Sequence, residues 1–138
     1  MSHLKYYAAP TVTTEFMGYD LSKYANAVRV GDRIELQGHS GIDPQTAVLP
    51  LGGAEADFAQ AFKNVDTTLK VAGGKGWSQV FKVVAFFGEY SDENLAIFMK
   101  EFEKWCPDHK PILSVYIVKL VLPEMRIELE VSAHDPAA

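Results

Sequence analysis

Few residues in this 138-residue chain have the type and spacing to carry chemistry. The four histidines, His3, His39, His109 and His134, pair with no other His, Cys or carboxylate at metal-ligand spacing, so no metal is expected. Ser40 and Ser114 lack the context of a nucleophile elbow. Cys106 is the only cysteine and sits between Trp105 and Pro107 at a helix end, where it reads as a buried structural thiol. Gly73-Gly74-Lys75-Gly76 follows a helical pattern rather than a strand, which marks a helix stop and turn in place of a phosphate loop. Glu128 is different. It lies inside an alternating strand, opposite that strand's apolar stripe. Partial desolvation there raises a carboxyl pKa and suits it to general acid-base work. The plainer reading is a solvated strand glutamate, paired with Arg126.

The elements that must position Glu128 follow from hydrophobic period. Residues 1–20 read as an irregular leading arm. Val28 and Val30, then Ile34 and Leu36, alternate with polar residues on either side of Gly31-Asp32, the pattern of a hairpin. A loop rich in Gly and Pro follows to about residue 53. Phe58, Ala61, Phe62, Val65, Leu69 and Ala72 then form one face of an amphipathic helix that Gly73-Gly74 ends. Residues 80–87 (VFKVVAFF) and 112–122 (ILSVYIVKLVL) read as strands apolar on both faces. Between them Ser91 caps a second helix with a stripe of Leu95, Phe98, Phe102 and Trp105, which Pro107 stops. Residues 126–133 alternate as a closing strand, and 135–138 read as a frayed tail. The whole is a single α+β domain in the order β-β-α-β-α-β-β, with two helices on one face of the sheet.

Two helices cover one face of such a sheet. Val84, Phe86, Tyr116 and Val118 would stand on the other, each large side chain forgoing about 1.5–3 kcal/mol of burial. Packing against further copies of the chain is the expected remedy, with cover by the loop at 38–53 as the alternative. A net charge of −5 and the lack of a Lys/Arg block argue against nucleic acid as a partner. A single cysteine excludes a disulfide scaffold, and no apolar leader or membrane-spanning stretch is evident, so a cytoplasmic protein is expected.

Several of these segments resemble one family. Residues 22–32 (SKYANAVRVGD), residues 36–46 (LQGHSGIDPQT), the helix positions Phe58, Ala61, Asn64 and Val65, and Pro123 followed by RIELE at 126–130 are similar in order and spacing to the Rid family. That family, of reactive intermediate imine/enamine deaminases, is also called YjgF-like or L-PSP endoribonuclease-like. The resemblance covers about residues 20–134. It implies a chorismate-mutase-like fold and a homotrimer with clefts between subunits. It also implies cofactor-free hydrolysis of imines and enamines to ketone and ammonia.

Carried over by residue, the family's cleft tyrosine matches Tyr24, its loop glycine Gly38, and its water-activating glutamate Glu128. Its substrate-binding arginine falls at Leu113, beside Ser114; the next cleft residue, usually Cys, is Val115, and a helix asparagine falls at about Leu95. Leucine offers none of arginine's bidentate hydrogen bonding to a carboxylate. The resemblance therefore points to a branch acting on a substrate less charged than 2-aminoacrylate. His39 and Arg126 are candidate helpers, Arg126 standing two residues from Glu128, about 7 Å along a strand. A non-catalytic ligand-binding or chaperone-like trimer, or a pathway-specific tautomerase or cyclase, is the alternative.

Overall fold

The computed structural model describes residues 1–136. Its elements are β1 (Lys5–Tyr7), β2 (Glu15–Phe16), β3 (Tyr19–Asp20), β4 (Ala27–Val30), β5 (Arg33–Leu36), β6 (His39–Ser40), α1 (Gly53–Val71), β7 (Val80–Phe87), α2 (Asp92–Trp105), β8 (Ile112–Ile117) and β9 (Ile127–His134). The last strand organises the rest. β9 is flanked by β5 and β6 on one side and by β7 on the other, in a sheet ordered β1-β4-β5-β9-β7-β8. All pairings are antiparallel except β7 with β8, which the helix between them makes parallel.

Alternation along β9 decides which face is which. Ile127, Leu129, Val131 and Ala133 are buried and face the helices. Phe58, Ala61, Phe62, Val65 and Leu69 of α1 are fully buried against them. An aromatic cluster ties the layers together, with ring centroids 5.7 Å apart for Phe58–Phe87, 5.3 Å for Phe87–Phe98 and 5.5 Å for Phe62–Phe98. Trp77 stacks on Phe62 at 4.8 Å and donates its indole N–H to the Phe62 carbonyl at 2.8 Å. Ser91 caps α2 by accepting the Asn94 amide at 3.0 Å. Burial pushes the Cys106 thiol up to about 11, so it stays a protonated core group.

The other face of the sheet is open. Phe86 is half-buried and stacks on Tyr116, which is 53 % exposed. The loop after β6 does not cover them. Asn64 of α1 holds that loop by donating to the carbonyls of Ser40 and Ile42, at 2.9 and 2.8 Å. Its far end takes the Val12 amide on the Pro44 carbonyl at 2.8 Å.

Three expectations change. The arm at 1–20 is not irregular: β1 adds an edge strand to β4, and β2 and β3 form a separate hairpin. β8 stops at Ile117 instead of running to residue 122, because its partner β7 ends at Phe87, opposite Ile117. Asp135 is not frayed. It is buried and ion-paired with Arg29, takes the Gln79 amide at 3.1 Å, and donates its own N–H to the Asp32 carbonyl at 2.7 Å. Arg29 also donates to the Ala72 carbonyl at the end of α1, at 2.8 Å. Residues 137 and 138 of the expected tail lie outside the described residues.

Removing one partner of a buried ion pair leaves the other charge uncompensated. Asp135→Ala is expected to lower unfolding free energy by about 3 kcal/mol in urea titration, whereas Asp32→Ala, which removes the exposed pair with His134, changes it by less than about 1 kcal/mol.

Candidate active site

The site begins with a slip in strand register. β5 meets β9 as Ile34↔Ala133 and Glu35↔Ser132. β6 resumes on the same strand as His39↔Leu129 and Ser40↔Glu128, one residue out of step. The extra residue is accommodated at Gln37–Gly38 as a bulge, a device that re-aims side chains at functional sites. The Glu128 side chain lies directly on it. A Cβ at position 38 would stand 1.8 Å from Glu128 Oε1 and 2.6 Å from its Cδ, so only glycine fits beneath the carboxyl.

Glu128 is half-buried on the open face, opposite Phe86 of β7. Desolvation pushes its pKa above the ordinary glutamate value, with a smaller contribution from Glu130 two residues along the strand. Among the described residues, no hydrogen bond or ion pair engages its carboxylate. An unpartnered carboxyl of raised pKa is a better proton acceptor than an ordinary glutamate and can return the proton it takes.

The carboxyl opens on a cavity of about 920 Å³ that is also lined by Tyr24, Gly38, His39 and Ser40. Tyr24 is 56 % exposed and is positioned by the short 3-10 turn Leu21–Lys23, whose end its N–H closes onto the Leu21 carbonyl at 3.1 Å. His39 reaches the cavity wall with its ring already committed. Nδ1 lies 2.7 Å from the Gln37 carbonyl, which can only accept, so Nδ1 carries the proton. Nε2 then accepts from the Thr68 hydroxyl at 2.8 Å. Burial holds the imidazole pKa below its usual value, so the ring stays neutral. Its strand neighbour across the ladder is Leu129, which puts His39 on the helix side and Glu128 on the other. The expected helper is a structural histidine.

The remaining sequence candidates stand elsewhere in the chain. Arg126 is ion-paired with the fully buried Asp57 of α1, so it is not the free cation beside Glu128 that strand alternation suggested. β9 starts only at Ile127, and alternation does not govern the residue before it. Leu113 shares a sheet face with Val83 and packs on the core, and Leu95 packs on the same core from α2. Neither lines the cavity. Ser114 and Val115 are exposed on the edge strand β8 and do not reach it within one chain.

Residues that sequence reasoning missed make up one whole wall. The arm crosses the cavity through Ala8, Pro10, Thr14, Phe16 and Tyr19. It is anchored by the Ala9 amide on Asn26 Oδ1 at 2.8 Å and by the Val12 bond to Pro44. The signal was Met17-Gly18: both residues have positive φ, 52° and 85°, as a two-residue hairpin turn requires. Among the described residues, no group of three or more His, Cys, Asp or Glu side chains could hold a metal, and no helix is long and apolar enough to cross a membrane.

A mixed sheet backed by two helices, with a strand glutamate over a glycine bulge, makes this an α+β protein with a candidate acid-base group on its open face. The family model described as Endoribonuclease L-PSP matches residues 19–135, and the chain belongs to that family, the YjgF/Rid family. It is 28% identical over 113 residues to human 2-iminobutanoate/2-iminopropanoate deaminase, covering 82% of this chain and 80% of that protein. It is 27% identical over 119 residues to Reactive Intermediate Deaminase A, chloroplastic, of Arabidopsis thaliana, covering 86% of this chain and 62% of that one. Among solved structures, a putative endoribonuclease from Thermotoga maritima superposes with a TM-score of 0.77 at 25% identity, over 95% of this chain and 98% of that one. RidA from an Antarctic Psychrobacter, at 24% identity and a TM-score of 0.73 over 92% and 93% of the two chains, shares the fold.

Two outcomes test the seat of Glu128. Gly38→Ala is expected to drive the carboxyl off the bulge into water, so that its pKa, followed by carboxyl carbon NMR, falls toward the ordinary glutamate value. Because the folded pKa is raised, the contribution of Glu128 to stability is fully present below the unfolded value of about 4.3 and is lost as pH rises through the folded one. Glu128→Gln has no charge to lose. Melting curves are expected to show it more stable than wild type at pH 8, with the advantage shrinking as pH falls toward 4.

Proposed function

We propose that this protein is a cofactor-independent hydrolase of reactive imines or enamines, working as a cytoplasmic homotrimer with Glu128 as its acid-base group. The observation that carries this reading is Glu128 itself: a half-buried carboxyl with a raised pKa and no partner, held over a bare glycine at the mouth of an open cavity. Relatives named as imine deaminases support the reaction class.

The chemistry asks little of the site. The Glu128 carboxylate takes a proton from water as the water oxygen bonds to the imine carbon. It hands that proton to the nitrogen, and a neutral carbinolamine results. The carboxylate then takes the carbinolamine hydroxyl proton as the carbonyl forms and the C–N bond breaks, and passes it to the departing nitrogen, which leaves as ammonia. One group serves twice, first as base and then as acid in each half of the reaction, and its raised pKa favours the base role. Tyr24 stands on the same cavity and offers a hydroxyl to substrate or water. Among the described residues, no Lys or Arg lines the cavity, which favours a substrate less charged than 2-aminoacrylate.

The trimer reading rests on the open face. Phe86 and Tyr116 flank the Glu128 side of the sheet and remain in contact with water in a single chain. Covering them with another copy would bury this apolar surface, exclude water from Glu128, and bring Ser114 of β8, which shares that face, toward a cavity it cannot reach alone. The ribonuclease activity named in the family's older description finds little support: the chain is acidic and its cavity carries no cation.

Ammonia release from imines generated in situ by amino-acid and amine oxidases tests the reaction. Glu128→Gln is expected to lower turnover by about 10²–10⁴-fold with binding retained. Full turnover by that variant would rule Glu128 out.

A further inference from the structure

The cavity wall built by the arm has a chemistry of its own. β2 and β3 pair as Glu15↔Asp20 and Phe16↔Tyr19, so Phe16 and Tyr19 are cross-strand partners on one face of the hairpin, and both line the cavity. Phe16 is 38 % and Tyr19 67 % exposed, apolar area with no counterpart in the chain. The hairpin joins no other sheet. It hangs on the Leu21 amide bonded to the Thr14 carbonyl at 3.0 Å and on the contacts of Thr11 and Val12 with Pro44. The match to the family model begins at Tyr19, so Phe16 and the rest of the arm precede the matched sequence.

The charges around the cavity are of one sign. Among the described residues, its ionisable carboxylates are Glu128 and Asp20, its only histidine is held neutral, and it has no Lys or Arg. The Ser22 hydroxyl, and after it the Ser22 amide that Asp20 accepts at 2.9 Å, hold the Asp20 pKa below the usual value and keep it ionised. β8, the edge strand a neighbouring copy would present, contains no charged residue. An anion entering this cavity meets only like charge, while a protonated imine or ammonium group is attracted.

We propose that the arm hairpin makes this cavity a site for an imine that lacks a carboxylate and carries an aromatic or branched apolar group, with Phe16 and Tyr19 as the specificity-determining side chains. This rests on the imine reading above and names its substrate class. The imine nitrogen would lie toward Glu128 and the apolar group against the two rings, where aromatic contact adds to area burial. Imines of this class arise from oxidation of primary amines, whereas oxidation of amino acids supplies carboxylated ones.

Calorimetry on the full chain separates this assignment from the deaminase reading, using stable amines and acids in place of imines. 2-Phenylethylammonium is expected to bind at least about tenfold more tightly than 3-phenylpropanoate or ethylammonium. The double variant Phe16→Ala/Tyr19→Ala is expected to shrink the phenyl-over-ethyl preference about tenfold, with Phe16→Leu/Tyr19→Phe restoring most of it and native near-UV circular dichroism confirming the fold. Equal or tighter binding of 3-phenylpropanoate, or an unchanged preference in the alanine variant, overturns the assignment. Amine binding with no ammonia released from 2-phenylethanimine supports the site and removes the deaminase reading. Ammonia released equally from short carboxylated imines and from 2-phenylethanimine keeps that reading and overturns the site.

Discussion

The contact between Glu128 and the backbone of Gly38 is the constraint on which the rest of the site depends. It exists because β5 and β6 share one partner strand and cannot stay in a single register along it. The slip at Gln37–Gly38 sends His39 inward to Thr68 and leaves Ser40 and Glu128 outward. A carboxyl resting on peptide and flanked by Phe86 loses part of its hydration without gaining a hydrogen bond or a cation. That combination raises a pKa, where an ion pair would lower it. Had Arg126 remained beside Glu128, the acid would have been neutralised; its pairing with buried Asp57 keeps the two apart.

The same sheet divides its labour by face. The helix side holds an aromatic and aliphatic core in which Phe62, Phe87 and Phe98 interlock, and this rigid layer fixes β9. The Arg29–Asp135 pair joins the end of β9 to the end of α1 and to the β4–β5 turn, so the strand that carries Glu128 is held at its far end. The open side carries the chemistry and the unsatisfied apolar surface together. Association there would complete the core-like layer and deepen the desolvation of Glu128 in one step.

Much of the fold was legible because its signals are local. The spacing from Phe58 to Leu69 could only bury one helix face, Ser91 could cap only a following helix, and Gly31-Asp32 joined two alternating runs. The arm was misread because two-residue strands carry too few positions for a period, and Met17-Gly18 alone was the cue. Leu113 and Leu95 were assigned to a cleft by resemblance, but alignment transfers position along the chain and says nothing of which way a side chain turns. Val83 across the ladder settles that for Leu113. His39 lines the cavity as expected, but the occupation of both its ring nitrogens was not legible because their partners, Gln37 and Thr68, come from different elements.

By itself the sequence determined that this is an α+β domain of the Rid type with an apolar face too many, and that Glu128 lies opposite its strand's core stripe. Period and turn chemistry are properties of neighbouring residues, so they survive without coordinates. Only the tertiary structure decided that Gly38 is the seat of that glutamate, that Arg126 belongs to Asp57, and that a hairpin from the arm walls the cavity. Each of these joins residues far apart in the chain, and such contacts are set by how the layers pack.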